Sequence, residues 1–166
     1  MIIGGIDPGR EGFITVLDTK STRGWILKMR YCDKKILDFD DIKLLPKVDI
    51  FYLESVRGRG GWAACANFGL GSYYGQIQLA LKIHSLKWKG IDPKVWVNSF
   101  DNTKGKTKER TLRAYKRFFP HNPLKPRIVK GEELFNNNMI DSIMIALYGV
   151  IETGNKIRKW RFQHVN

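Results

Sequence analysis

The sequence predicts an α/β fold in which a five-stranded mixed sheet is flanked by helices. Three strand-like segments occupy residues 1–31, and helical and strand patterns alternate after them, an order that is typical of an α/β layer fold. The chain has 166 residues, of which 43% are hydrophobic, which is enough to bury one core. We therefore expect a single domain spanning residues 1–166.

The first 31 residues predict three antiparallel strands. Ile2, Ile3 and Ile6 form an apolar segment that ends at the Asp-Pro-Gly sequence of residues 7–9, because proline cannot donate to a strand ladder. Residues 13–18 are largely apolar, and apolar and polar side chains alternate in residues 25–31, which is the period of a half-buried strand. The expected start of the sheet is a meander.

The rest of the chain predicts further helices and strands. A short helix is expected at residues 38–45, a buried strand at 49–53, a glycine-rich loop at 57–62, a helix at 63–83, a strand at 93–97, a basic helix at 107–118 and a final helix reaching residue 151. Around the helix at 63–83, the spacing of Leu79, Ile83 and Leu86 predicts one apolar face. In the final helix, apolar residues from Ile140 to Ile151 recur every three or four positions and predict a core-facing stripe.

The charge of the chain indicates a polyanionic partner. Lysine and arginine number 29 against 16 acidic residues, a net charge of +13, which favours nucleic acid as the partner over a role in solubility alone. Residues 104–117 carry many cations and a single acid, Glu109. Phosphate neutralises one-sided charge of this kind, so DNA contact is favoured over a solvated helix face. The cations are Lys104, Lys106, Lys108, Arg110, Arg113, Lys116 and Arg117.

The glycine-rich loop offers a second contact with DNA. Arg57, Arg59 and Trp62 flank its glycines directly after Glu54. A tryptophan in such a loop can stack on an unpaired base, and it can equally fold back onto the following helix. The basic tail at residues 156–161 either contacts phosphate or serves solubility. The sequence leaves both pairs of interpretations open.

The cysteines and apolar segments indicate a reduced, cytoplasmic protein. Cys32 and Cys65 are far apart and lack C-x-x-C spacing, so neither a disulfide framework nor a thiolate metal site is expected. No apolar run approaches membrane-spanning length, and the start of the chain lacks the pattern of a signal peptide. We therefore expect no contact with a membrane, and no small-molecule cofactor is indicated.

Three acidic residues are placed for metal chemistry. Asp7 ends the first strand, Glu54 ends the central strand, and Asp141 lies beside the apolar stripe of the last helix. Hard divalent cations need oxygen ligands, and two-metal phosphodiester hydrolysis needs carboxylates from several parts of the chain. Each acid alone also has a structural interpretation: Asp7 as a turn residue, Glu54 as a surface acid and Asp141 as a solvated helix position.

Motifs along nearly the whole chain, in the same order, resemble the RuvC family of resolvases. Gly-Ile-Asp-Pro-Gly at 5–9 resembles the family's opening motif, and Tyr-Leu-Glu-Ser-Val at 52–56 resembles its second acidic strand. Asn67, with Leu-Gly at 70–71 and Tyr-Gly at 74–75, resembles the pattern on its long helix. Pro93-x-x-Trp96 and the lysine-rich segment 104–109 resemble its strand and basic helix start, and Met-Ile-Asp-Ser at 139–142 resembles its last catalytic helix.

The resemblance implies an RNase H-like fold and an endonuclease that resolves four-way DNA junctions. It implies that Asp7, Glu54 and Asp141 hold two Mg²⁺ ions, with Mn²⁺ as a substitute, and that Lys108 assists at the scissile phosphate. It further implies a homodimer that makes paired nicks in branched DNA, leaving 5′-phosphate and 3′-hydroxyl ends, in a bacterial or phage-infected cell.

Two departures from the family pattern bear on this expectation. Where the family carries a fourth carboxylate, three residues before its last, this chain has Asn138, a neutral oxygen ligand that should lower cation affinity; Asn137 or Glu133 could fill that place instead. Arg10-Glu11-Gly12 replaces the family's usual polar residues after Asp-Pro-Gly. The alternatives are a less selective flap, loop or hybrid nuclease, and a non-catalytic junction-binding protein.

Overall fold

A six-stranded mixed sheet forms the centre of the molecule. The computed structural model describes residues 1–32, 36–56, 58, 61, 63–121, 124, 127–129 and 132–165. Its strands are β1 (Ile2–Asp7), β2 (Phe13–Asp18), β3 (Arg23–Lys28), β4 (Tyr31–Cys32), β5 (Ile36–Leu37), β6 (Ile50–Glu54), β7 (Trp88–Ile91), β8 (Arg127–Val129), β9 (Glu132–Leu134) and β10 (Arg161–Val165). The sheet order is β10-β3-β2-β1-β6-β7, while β4 with β5 and β8 with β9 form separate hairpins. The predicted meander of β1, β2 and β3 is confirmed.

Helices cover both faces of the sheet. They are α1 (Ala64–Ile83), α2 (Pro93–Phe100), α3 (Thr107–Phe118) and α4 (Asn137–Glu152), and a 3₁₀ helix spans Phe39–Leu44. α4 packs on β1 and β2, with α2 and α3 against it, and α1 and the 3₁₀ helix pack on the opposite face. Among the described residues, no helix is long and apolar enough to cross a membrane.

The number of strands differs from the prediction by one. A strand that the sequence did not predict, Arg161–Val165, begins at the last cation of the basic tail and pairs in parallel with β3 as a sixth strand at that edge. Lys156, Arg158 and Lys159 of the tail remain exposed. The side chains of the strand are mostly exposed, so the hydrophobic alternation that marks a strand in a sequence is weak here. Trp160 anchors the segment by donating from Nε1 to the backbone oxygen of Asp18 at 3.0 Å.

The prediction of a strand at residues 93–97 is wrong. The strand lies earlier, at Trp88–Ile91, and Pro93 begins helix α2. Asp92 caps this helix by accepting a hydrogen bond from the Lys94 backbone nitrogen at 2.8 Å. Proline suits the first helical turn because its missing N–H has no helical acceptor there. The sequence Asp-Pro therefore marks a helix start at this point.

The apolar face predicted for α1 is not the face that packs on the sheet. Leu79 and Ile83 are 48% and 57% exposed, whereas Ile77, Ala80 and Leu81 are buried. The helix has apolar residues on two sides, so periodicity alone could not choose between them. In α4 the predicted stripe is buried except for its last member, Ile151, which lies in the final turn and is exposed.

The backbones of α4 and β1 lie in direct contact. A Cβ atom on Gly5 would come within 2.2 Å of the Ala146 nitrogen and 2.5 Å of the Ser142 oxygen. Beside this contact, the buried hydroxyls of Thr15 and Ser142 are hydrogen-bonded at 2.7 Å. The close approach brings the first turns of α4 over the end of β1, where Asp7 lies.

We expect Gly5→Ala to destabilise the protein, because the added methyl group has no space between β1 and α4. Overpacking of a close-packed core typically costs about 1–3 kcal/mol, measurable as a lower midpoint of urea unfolding. Gly71→Ala is the control, since a Cβ atom at Gly71 in α1 would meet nothing within 4 Å. Equal or higher stability of Gly5→Ala would contradict this account of the packing.

Candidate active site

The three acidic residues singled out from the sequence line one cleft. β1 and β6 are parallel neighbours with Ile6 paired to Leu53, so the next residues, Asp7 and Glu54, lie at the same edge of the sheet. Asp141 reaches this edge from α4. The cleft has a volume of about 440 Å³ and is also lined by Lys108 and Asn138. The structure therefore brings together all five residues predicted for the catalytic site.

Burial and mutual repulsion disfavour the charged form of the carboxylates in this cleft. The pKa of Asp7 lies well above its usual range because of burial and the nearby charges of Asp141 and Glu54, with Lys108 acting in the opposite direction. Burial and the charge of Glu54 raise the pKa of Asp141 to about 7, and Lys108 and a hydrogen bond from the Thr111 side chain oppose that rise. Such a site favours the entry of positive charge.

Two residues that were not predicted as site residues, Trp96 and Thr111, contact the carboxylates of the cleft. The indole Nε1 of buried Trp96 donates to Glu54 Oε2 at 3.0 Å, and the side chain of Thr111 is hydrogen-bonded to Asp141. Trp96 had a signal in the sequence, the Pro-x-x-Trp pattern, but that pattern predicted a strand. Thr111 had no signal, because its role depends on α3 lying against α4.

Asn138 faces the cleft from the first turn of α4. Its Nδ2 donates to the backbone oxygen of Glu11 at 3.0 Å, which ties the start of the helix to the turn between β1 and β2. The helix itself is capped by Asn136, whose side chain accepts from the Met139 backbone nitrogen at 3.2 Å. The position predicted for a fourth ligand is therefore at the cleft, whereas the side chain of Glu133 lies outside the described part of the structure.

The donor set of the cleft fits a hard divalent cation in its chemistry. It consists of carboxylate and amide oxygens from separate elements, the ligands that Mg²⁺ and Mn²⁺ prefer. Within the described ranges, no three His, Cys, Asp or Glu side chains are close enough together to enclose one ion. The carboxylates line the cleft rather than form a closed cage.

The residues predicted to contact DNA fall into four groups. Lys104 and Lys106 are exposed before α3, and Lys108 lines the cleft. Arg110 and Arg113 are engaged within the fold. Arg57, Arg59 and Trp62 lie outside the described residues.

The engaged arginines hold the turn between α2 and α3. Arg110 donates from Nε to the Asp101 backbone oxygen at 2.9 Å and from Nη2 to Asn98 Oδ1 at 2.6 Å. Arg113 donates from Nε to Asp101 Oδ2 at 3.0 Å and from Nη2 to Thr103 Oγ1 at 2.8 Å. Their position therefore has a structural reason in addition to any contact with phosphate.

In the absence of divalent cations, we expect the protein to lose stability as the pH rises from about 4 to about 7. Asp141 has a pKa of about 7 when folded and an ordinary value of 3.8, so the folded state binds more protons across this interval and ionisation on raising the pH favours unfolding. Asp141→Asn should lose less stability between pH 5 and pH 8, measured by urea unfolding in EDTA. The control is Glu109→Gln, which removes an exposed acid on α3; the same pH dependence in wild type and Asp141→Asn would contradict the prediction.

Comparisons with known proteins identify the fold. No protein-family model and no curated protein matches the sequence. Thermus thermophilus RuvC matches with a TM-score of 0.56 and 14% identity, over 93% of this chain and 98% of that chain. The same protein in complex with a Holliday junction substrate matches with a TM-score of 0.57 and 14% identity, over 93% and 97%. The yeast mitochondrial Holliday junction resolvase Ydc2 matches with a TM-score of 0.51 and 14% identity, over 88% and 76%. The chain therefore has the RNase H-like fold of the RuvC-type resolvases.

Proposed function

We propose that this protein is a structure-selective endonuclease that resolves four-way (Holliday) DNA junctions by paired, metal-dependent nicks leaving 5′-phosphate and 3′-hydroxyl ends. The observation that carries this proposal is the cleft in which Asp7, Glu54 and Asp141 meet at the edge of a RuvC-like sheet. A structural neighbour with the same fold is bound to a Holliday junction substrate. Branched double-stranded DNA is accordingly the proposed substrate.

Asp7, Glu54 and Asp141 would hold two Mg²⁺ ions, with Mn²⁺ as a substitute. When bound, the ions supply Lewis-acid activation at the phosphate. The residues of the chain orient and balance this site: Trp96 fixes one oxygen of Glu54, and Lys108 adds positive charge beside the carboxylates. These contacts are in place before substrate arrives, which is the form of preorganisation that stabilises charge developing in a transition state.

Asn138 determines how strongly the site can bind cations. Its amide nitrogen is used by the Glu11 carbonyl, so the amide oxygen is the atom suited to a cation or to a water bound to one. An amide brings no negative charge, and cation affinity is therefore lower than with a fourth carboxylate. The lack of a fourth negative charge at this position favours one alternative function, that of a junction-binding protein that cuts slowly or not at all.

A pair of active sites requires two copies of the chain, and α1 has a surface that suits such contact. Phe68, Leu79 and Ile83 are exposed and lie within about 60° of one another around the helix. Trp88 on the edge strand β7 and Leu79 also line one shallow groove. We propose that these residues bury one another across a homodimer, because exposed apolar patches commonly mark protein interfaces.

Asp7→Asn and Glu54→Gln should abolish nicking and leave junction binding intact or stronger, because each removes negative charge near phosphate. Nicking is measured with Mg²⁺ on junction, flap and RNA–DNA hybrid substrates, and binding is measured in EDTA. Asp49→Asn is unsuitable as a control, since its carboxylate accepts from the Ile2 backbone nitrogen; Asp40→Asn changes an exposed acid away from the cleft and should retain wild-type activity.

The substrate panel separates the three candidate functions. Preferential cutting of the junction supports the proposal, and equal cutting of all substrates indicates a less selective nuclease on the same fold. Binding of the junction with no cutting by the wild type indicates the non-catalytic alternative.

Replacing Leu79 and Ile83 together with arginine should dissociate the dimer. The double variant changes four side chains in a homodimer, and burial of the exposed half of each contributes about 0.8 kcal/mol, so the dimer should weaken by roughly 100-fold, measured by sedimentation velocity. The thermal midpoint of the variant monomer should stay near that of the wild type, because both side chains are about half exposed in the monomer. Ile157→Arg is a matched control, since Ile157 is an exposed apolar residue outside α1; an unchanged dimer in the double variant would place the interface elsewhere.

A further inference from the structure

The turn between β1 and β2 is clamped to the end of β3. The Gly12 nitrogen donates to the Gly9 oxygen at 3.0 Å, and the Met29 nitrogen donates to the Gly12 oxygen at 3.1 Å. The Tyr31 hydroxyl donates to the same Gly9 oxygen at 2.9 Å. A Cβ atom on Gly12 would lie 2.3 Å from Met29 Cε and 2.4 Å from the backbone oxygen of Asp7, so only glycine fits at this position. The turn is therefore held in a fixed position relative to Asp7.

The clamped turn forms one wall of a basic groove. The groove has a volume of about 490 Å³ and is lined by Arg10, Glu11, Lys28, Met29, Arg30 and Tyr31. Three of these residues are cationic, and Glu11 is the one acid. Buried Met29 and half-buried Tyr31 contribute the apolar part of its lining. The groove thus has the composition of a surface that takes an anionic chain.

The cations of the groove differ in how firmly they are held. Arg30 is fixed, because it donates from its backbone nitrogen at 3.1 Å and from Nε at 2.8 Å to the buried carboxylate of Asp41. Lys28 is paired with Glu11 at 2.6 Å, and these side chains are 57% and 62% exposed. Ion pairs exposed to this extent contribute little to stability, so the Lys28 amine can exchange Glu11 for another anion. Arg10 is exposed beside this pair.

The groove and the acidic cleft lie on either side of one turn. Asn138 lines the cleft and donates to the backbone oxygen of Glu11, whose side chain lines the groove. Lys108 reaches the cleft from α3, and exposed Lys104 and Lys106 precede it in the chain. The carboxylates are thus placed between two sets of cations, one at the start of α3 and one at the ends of β1 and β3.

We propose that Arg10 and Lys28 in this groove bind the phosphodiester backbone of the DNA strand beyond the acidic cleft, and that the Glu11 carboxylate occupies the place of a phosphate on Lys28 until DNA binds. This inference rests on the proposed nuclease function. The carboxylates repel the strand that they act on, so cations are needed on both sides of the scissile phosphate. Glu11 then acts as an internal competitor that lowers the affinity for DNA.

Two variants of the groove have opposite expected effects on a fluorescently labelled four-way junction, bound in EDTA. Arg10→Gln with Lys28→Gln should weaken binding and lower the slope of log affinity against log salt by ~0.9 for each lost phosphate contact. Glu11→Gln should strengthen binding by roughly fivefold, the effect of one charge–charge interaction at contact distance in water. All three side chains are exposed, so the thermal midpoints should stay near that of the wild type.

The matched control is Lys20→Gln with Arg23→Gln, which removes two exposed cations at the other end of the sheet. A larger loss of slope in the groove variant than in this control, together with tighter binding by Glu11→Gln, supports the proposal. Equal slopes in the two double variants, or unchanged affinity in Glu11→Gln, overturn it. Nicking by the wild type with Mg²⁺ is scored separately, so a protein that binds through the groove and does not cut overturns the nuclease function alone.

Discussion

The contact between the backbones of α4 and β1 is the constraint on which the candidate active site depends. Gly5 has no side chain, so α4 approaches β1 closely enough for its backbone to occupy the space that a Cβ atom would fill. The same closeness recurs at Gly149, where a Cβ atom would come within 2.5 Å of the Tyr52 ring. Because α4 packs on the sheet at both of these glycines, the helix itself places Asp141 near the end of β1. A larger residue at Gly5 would separate the helix from the sheet and Asp141 from Asp7.

This arrangement forces negative charges together in a partly dry cleft. Burial and repulsion raise the pKa values of Asp7 and Asp141, so the metal-free site is a local cost to folding that the apolar contacts of α4 must offset. Lys108 and the hydrogen bonds from Trp96 and Thr111 reduce the repulsion without removing it. A site of this kind is stabilised by binding cations, because a ligand that binds only the folded state adds its binding free energy to stability.

The sequence predicted the site residues that end strands, but it did not predict features that depend on how one element packs against another. Asp7 and Glu54 could be found because each follows an apolar strand, and the register of β1 with β6 then places them at one edge. The apolar face of α1 and the sixth strand β10 could not be found, because each depends on which surface a neighbouring element covers. The strand expected at 93–97 failed for a local reason: Asp92 and Pro93 form a helix cap.

The net charge of +13 overstates how many cations are available to the proposed DNA substrate. Arg110 and Arg113 are used to hold the turn after α2, and Arg30 is used to satisfy buried Asp41. In the part of the chain that the structure describes, the cations near the cleft that are not fixed in this way include Lys94 and Lys108 in its lining, the two lysines before α3, and Arg10 and Lys28. Since a strand in the cleft meets carboxylates at its centre, net attraction must come from these flanking charges. Affinity for the proposed DNA substrate is then expected to depend on the position of a few lysines and arginines rather than on the overall charge of the chain.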